Sequence, residues 1–129
     1  MLACGDTFLF AEEDESKLHL TVVLTEPDSD GKVVTVSVVT QHRRSDAMVP
    51  LQAGDHPFIT RPSVMAFGYA RVRTVTEIEN VIQKGDAVKR EPIDPKFVKR
   101  GCSGCLESED TPGDVVEFLN QQTKEDENR

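Results

Sequence analysis

The residues of this chain best suited to chemistry near neutral pH are its histidines and a neighbouring pair of arginines. Imidazole titrates in this range when unperturbed, and the chain carries three such side chains: His19, His42 and His56. Arg43 and Arg44 follow His42 directly, and a guanidinium group can hold a phosphate through two parallel hydrogen bonds. Cleavage of RNA without a metal needs a base for the 2′-hydroxyl, an acid for the leaving 5′-oxygen and cations for the charge on the phosphate. These residue types could supply all three.

Strand pairing decides whether these groups can meet. β-Branched residues dominate 21–25 and 33–40, and the residues between them include a proline, two aspartates and a glycine, which are typical of a turn. The pattern predicts a β-hairpin, which would place His19 at the same end as the cluster 41–44. The alternative is that 41–46 is a solvated loop and that His19 is an exposed strand residue.

The sequence Gly54-Asp55-His56-Pro57-Phe58 has two interpretations. Asp55 could orient His56 as a general base. Glycine, aspartate and proline are equally typical of a turn for conformational reasons alone, with Phe58 anchoring the turn to the core. We favour the turn.

Cys102 and Cys105 lie on the apolar face of a predicted helix, where buried cysteine is common. A structural zinc site needs four ligands and normally a second pair of cysteines, which the chain lacks. Burial is the favoured interpretation, while a disulfide or redox pair and a metal site stay open. Cys4 has no evident partner in the sequence, and no cofactor is predicted.

The remaining patterns place these residues on a mainly β fold with C-terminal helices. Short strand-like runs continue from 5 to 76, and helical patterns follow. Asp94-Pro95 is typical of a helix start, and Thr111-Pro112-Gly113-Asp114 matches a capping box. We predict one domain over 1–129, divided into a small β-barrel (5–76), a helical extension (77–122) and a disordered tail (123–129).

The net charge of −8 is unevenly distributed along the 129 residues. Residues 1–31 carry −7, residues 32–101 carry +5 and residues 102–129 carry −6. An acidic total argues against non-specific coating of nucleic acid, but the basic centre allows a narrow site for a polyanion. The chain has no apolar run of about 20 residues and begins without the basic start of a secretory signal, so a cytoplasmic protein is expected.

The order of these strands resembles the PemK/MazF-like family, the toxins of type II toxin–antitoxin pairs. The resemblance covers roughly residues 5–76 and rests on four runs: Gly5-Asp6-Thr-Phe-Leu-Phe, Val22-Val23-Leu24-Thr25, Val36-Ser37-Val38-Val39-Thr40, and Ser63-Val64-Met-Ala-Phe-Gly-Tyr-Ala70-Arg71-Val72-Arg73-Thr74-Val75. It implies an SH3-like barrel, usually a homodimer, with a cognate antitoxin as protein partner. In active members it implies metal-independent cleavage of single-stranded RNA.

The resemblance also implies a catalytic set, from which this chain departs. Thr40 matches the family's catalytic threonine, with Val39 as the other residue that could occupy that position. His19-Leu20 stands where the family places Arg-Pro, and an acidic segment (12–16) replaces its glycine-rich loop. The resulting hypothesis has His19, Thr40 and Arg43 as catalytic residues, with His42, Arg43 and Arg44 binding RNA.

Three functions follow as alternatives, of which the third is a thiol protein that uses Cys102 and Cys105. The first is an endoribonuclease of this kind, active or degenerate. The second is a non-catalytic SH3-like barrel that binds a protein partner, which the acidic total and the missing arginine favour.

Overall fold

A computed structural model describes residues 2–11, 17–41 and 49–127, with 125–127 described by their backbone alone. Six strands form one antiparallel sheet: β1 (Thr7–Phe10), β2 (His19–Val23), β3 (Lys32–Thr40), β4 (Pro50–Leu51), β5 (Ser63–Thr74) and β6 (Val88–Arg90). Their order across the sheet is β4-β5-β3-β2-β1-β6. The sheet curls into a half-barrel, and the predicted fold class, mainly β with C-terminal helices on a small SH3-like β-barrel, is confirmed.

The predicted hairpin is formed by β2 and β3, with Leu20 opposite Val38 and Val23 opposite Thr35. Asp28 holds its turn, because its Oδ1 accepts hydrogen bonds from the backbone N–H groups of Asp30 at 2.9 Å and Lys32 at 2.8 Å. This is the local side-chain bonding that favours aspartate in turns.

The curl of the sheet has a visible origin in β5. Thr35 lies opposite Arg71, yet Ser37 lies opposite Ala66, so residues 67–70 face a single residue of β3. Extra residues in one strand bend it and increase its twist. Phe67 is buried inside this bend while Tyr69 remains 38% exposed, which explains the mixed periodicity of this segment.

Three helices complete the fold: α1 (Val75–Gln83), α2 (Pro95–Glu107) and α3 (Gly113–Glu127). α1 begins with a capping box in which Glu77 N–H donates to Thr74 Oγ1 and Thr74 N–H donates to the Glu77 carboxylate. α2 begins as predicted, with Asp94 accepting from Lys96 N–H and Pro95 in the first turn. No helix among the described residues is long and apolar enough to cross a membrane.

Both faces of the hairpin are buried within the single chain. Val22 and Val34 contribute to one core beneath residues of α2 and α3, and Val23 and Val33 contribute to a second core with Ile78 of α1. All four valines have no exposed surface. The hydrophobic effect therefore fixes the hairpin from both sides and with it the positions of its strand ends.

Two segments differ from the sequence-based expectation. β6 lies within the expected helical extension and pairs with β1, Leu9 opposite Val88, because β1 would otherwise leave its outer backbone groups without a strand partner. α3 continues to Glu127, past the expected end of the extension at residue 122.

Candidate functional site

The pairing of β2 with β3 brings His19 and Thr40 into one pocket. His19 begins β2 and Thr40 ends β3, so antiparallel pairing sets the two residues at the same end of these central strands. They line a pocket of about 400 Å³, here called the His19 pocket. Its walls are the start of β2 (17–20), the end of β3 (38–40), the loop 57–61, Ser63 and Arg90.

The described lining of the His19 pocket is positively charged. It includes the basic side chains of Lys17, Arg61 and Arg90, and no carboxylate lies among the described residues that form its walls. The whole chain carries a net charge of −8, so this surface is opposite in sign to the average. A concave, cationic surface concentrates anions at its mouth.

One wall joins a cation to an aromatic ring. The Arg90 guanidinium carbon lies 5.6 Å from the centroid of the Phe58 ring, which is 37% exposed. Arg90 Nε also donates to the Glu91 carboxylate at 3.4 Å. The pKa of Glu91 is lowered, mainly by its own backbone N–H and further by Arg90, so its carboxylate stays charged and helps to hold the guanidinium in place.

His56 lies behind this wall and is 1% exposed. Its Nδ1 accepts from Phe58 N–H at 3.0 Å, so Nε2 carries the proton and donates to the Glu91 carbonyl oxygen at 2.6 Å. Thr7 Oγ1 donates to the same carbonyl at 2.6 Å. His56 therefore ties the loop that carries Phe58 to the chain next to Arg90.

The hypothesis that Asp55 orients His56 as a base is wrong, and the favoured turn is confirmed. The Asp55 carboxylate accepts from Gln52 N–H at 2.7 Å, and Gly54 adopts a φ of 93° that suits glycine. Ile59 N–H closes the turn on the His56 carbonyl oxygen at 2.9 Å. Asp55 thus bonds the backbone of its own loop, and His56 bonds the backbone of Phe58 and Glu91.

The predicted site residues divide into two groups. His19 and Thr40 lie in the pocket, whereas His42, Arg43 and Arg44 lie outside the described residues, so their roles stay predictions.

Sequence reasoning missed Phe58, Arg61 and Arg90 as lining residues. Phe58 had been assigned to the turn alone. Arg90 reaches the pocket only because β6 pairs with β1, and Val88-Lys89-Arg90 has no alternation of apolar and polar residues that could have indicated a strand.

The cysteines lie away from this pocket, on or beside α2. Cys105 has no exposed surface, which confirms structural burial for this residue, and Cys102 is partly buried; both carry thiols. Across the described part of the chain, no three His, Cys, Asp or Glu residues are grouped so that they could hold a metal ion.

Comparison with known proteins adds no assignment. No family model matches the chain, and no curated protein is significantly similar to it.

Proposed function

We propose that this protein binds single-stranded RNA in the His19 pocket and cleaves it without a metal, as a divergent PemK/MazF-like endoribonuclease. The observation that carries the proposal is the composition of the pocket. Within an acidic protein it combines three cationic side chains, a histidine, three hydroxyl groups and an aromatic ring that is partly exposed.

Each group has a role in binding an RNA strand. Arg61 and Arg90 supply cations for phosphate oxygens, and Phe58 offers a ring face on which a base can stack. Such stacking contributes about 1–3 kcal/mol per base in proteins that bind single strands. Single-stranded RNA suits the pocket better than a duplex because its bases are free to stack.

His19 is the acid–base group of the proposed reaction. Its imidazole takes the proton of a 2′-hydroxyl, whose oxygen attacks the adjacent phosphorus while the bond to the 5′-oxygen breaks. The leaving oxygen takes a proton from solvent, and the products are a 2′,3′-cyclic phosphate and a 5′-hydroxyl. Thr40 donates its hydroxyl to a phosphate oxygen, and the arginines stabilise the charge that develops there. His42, Arg43 and Arg44 belong to the proposal as further RNA-binding residues, with Arg43 also assisting catalysis.

Cleavage and binding should be measured on the same fluorescent single-stranded RNA with EDTA present. We expect His19→Ala to slow cleavage about 100-fold or more while RNA affinity changes little, because an acid–base group acts mainly in the transition state. Arg61→Ala and Arg90→Ala should each weaken affinity about tenfold, the scale of a hydrogen bond to a charged group.

Arg100→Ala is the matched control. Arg100 lies 5.6 Å from the Phe97 ring on α2, the same arrangement as Arg90 and Phe58 but outside the pocket. It should leave cleavage and affinity unchanged. RNA that stays intact and unbound at high protein concentration would reject the proposal, and binding without cleavage would reject only the catalytic step.

A second candidate is a non-catalytic barrel that binds a protein partner through the same surface. Leu18 and Phe58 favour it, because they flank the pocket with 43% and 37% of their surfaces exposed. A protein that fails to bind RNA, yet loses a partner on Leu18→Asp, would support this function instead.

The proposal carries two further expectations from the family resemblance. A toxin of this kind acts in the cytoplasm, where its RNA is found, and is inhibited by a cognate antitoxin protein. Co-expression with the product of an adjoining small reading frame should then relieve any growth inhibition caused by this chain.

A further inference from the structure

Two thiols that are distant in sequence converge on one oxygen atom. Cys4 Sγ donates to the Leu24 carbonyl oxygen at 3.4 Å, and Cys102 Sγ donates to the same oxygen at 3.3 Å. The two sulfur atoms therefore cannot be further apart than about twice that distance. The Val34 N–H, the neighbour across the hairpin, donates to Thr25 Oγ1 at 3.1 Å and leaves the Leu24 carbonyl turned toward the thiols.

The packing of α2 explains this convergence. A Cβ atom on Gly101 would lie 2.6 Å from Leu24 Cδ2, so only glycine lets the helix approach Leu24 this closely. Gly5 lies beside Val98, one helical turn before Cys102, with a Cβ-to-Cγ2 separation of 3.9 Å for an added Cβ. The segment that carries Cys4 thus runs alongside the face of α2 that carries Cys102.

We propose that Cys4 and Cys102 are an oxidation site at which peroxides form a reversible intramolecular disulfide. Both cysteines line an open pocket of about 540 Å³, so a small oxidant reaches them from solvent. Cys105 is not the partner of Cys102, because it has no exposed surface and the Cys102 thiol is turned to Leu24. The inference does not depend on the proposed ribonuclease function.

The reaction balances with one peroxide for each disulfide. A thiolate attacks hydrogen peroxide and becomes a sulfenic acid, with release of hydroxide that is protonated to water. The second thiolate attacks the sulfenic sulfur, the S–S bond forms, and a second hydroxide leaves as water. Two thiols and one hydrogen peroxide thus give one disulfide and two waters, and the two electrons lost by sulfur reduce the peroxide.

The surroundings of the two thiols should make their oxidation slow at neutral pH. Burial, Glu26 and Asp6 raise the pKa of Cys4, and burial together with Cys4 raises the pKa of Cys102 to about 11. Cys102 in turn raises the pKa of the buried Cys105 thiol, and the Asp28 carboxyl group lines the same pocket as the pair. Since the thiolate is the reacting form, oxidation should accelerate as pH rises from 7 to 9.

The test treats the full chain with hydrogen peroxide at pH 8.5, alkylates the remaining thiols and measures the mass. We expect a loss of two hydrogen atoms and one alkylated cysteine instead of three. Trypsin should then yield peptides 1–17 and 101–124 joined by a bond that dithiothreitol cleaves. The crosslink should raise the Tm by at least about 5 °C, because it closes a long loop in the unfolded chain.

Variants identify the pair. Cys105→Ala should keep the crosslink, whereas Cys4→Ser and Cys102→Ser should each abolish it. The guanidinium-unfolded chain serves as a positive control for the oxidant. Three intact thiols in the folded protein, a bond confined to peptide 101–124, or a crosslink between two chains would each overturn the proposal.

Discussion

The surroundings of His19 and His56, and not their shared residue type, decide which of them is accessible for chemistry. His19 lines an open cationic pocket. His56 is buried, and both of its ring nitrogens form hydrogen bonds with backbone groups. Sequence suggested the difference only indirectly, through the turn residues around His56. Residue types indicate what chemistry is available, and packing determines which side chains remain accessible for it.

His56→Ala should destabilise the fold by about 2–4 kcal/mol. The substitution removes a buried side chain together with its hydrogen bonds to Phe58 N–H and the Glu91 carbonyl, and it leaves these backbone groups without that partner. Urea unfolding monitored by circular dichroism measures the change.

His19→Ala is the matched control, since it makes the same substitution at a partly exposed position. It should cost about 1 kcal/mol or less. Equal losses at the two histidines would show that His56 does not hold the loop.

Part of the candidate site could be predicted from sequence, because it depends on local pairing. The hairpin turn fixes the register of β2 against β3, with Leu20 opposite Val38, and this places His19 and Thr40 at the same end of the sheet. Arg90 could not be predicted, since its position depends on the pairing of β6 with β1, which are far apart in the chain. Long-range pairing of a short, charged edge strand leaves no local pattern to recognise.

At the scale of elements, the helix starts also show that local sequence signals predict only part of the structure. The start of α2 was predicted from Asp94-Pro95, whose signals are local and strong. The capping box expected at Thr111 is not formed, because Thr111 Oγ1 is buried and makes no hydrogen bond to the described residues. The box that does form joins Thr74 to Glu77, where the strand β5 turns directly into α1.

Gly104→Ala should destabilise the protein by at least about 1 kcal/mol, although alanine favours helices over glycine by about that amount. An added Cβ would lie 2.4 Å from Cζ of Phe67 and 2.9 Å from Cγ2 of Val49. Phe67 is 1% exposed and packs within the main core, so we expect overpacking to outweigh the gain in helix propensity.

Gly113→Ala separates these two effects. Gly113 begins α3, and an added Cβ meets no atom within 4 Å. The substitution should be neutral or slightly stabilising in thermal unfolding. A stabilising Gly104→Ala would show that α2 lies further from the sheet than described.

For the whole molecule, burial of the hairpin bears on self-association. A hairpin rich in valine could serve as a dimer interface if one of its faces were exposed, but Val22, Val23, Val33 and Val34 are buried in two cores on opposite faces within one chain. Both edge strands, β4 and β6, are also short. β4 contains Pro50, and β6 contains Lys89 and Arg90, and these features discourage pairing with another sheet. The homodimer implied by the family resemblance stays a prediction, now without the hairpin as its interface.

Folding of this chain should therefore be independent of any dimer. An obligate dimer completes its core across the interface, so its Tm falls on dilution, whereas a core completed within one chain unfolds at the same temperature at any concentration. We expect the Tm to change by less than about 2 °C across a hundredfold dilution. Sedimentation of the same samples gives the mass, 14.3 kDa for a monomer and twice that for the homodimer. A Tm that falls steadily with dilution, in step with loss of the dimer, would mean that the two cores depend on a second copy of the chain.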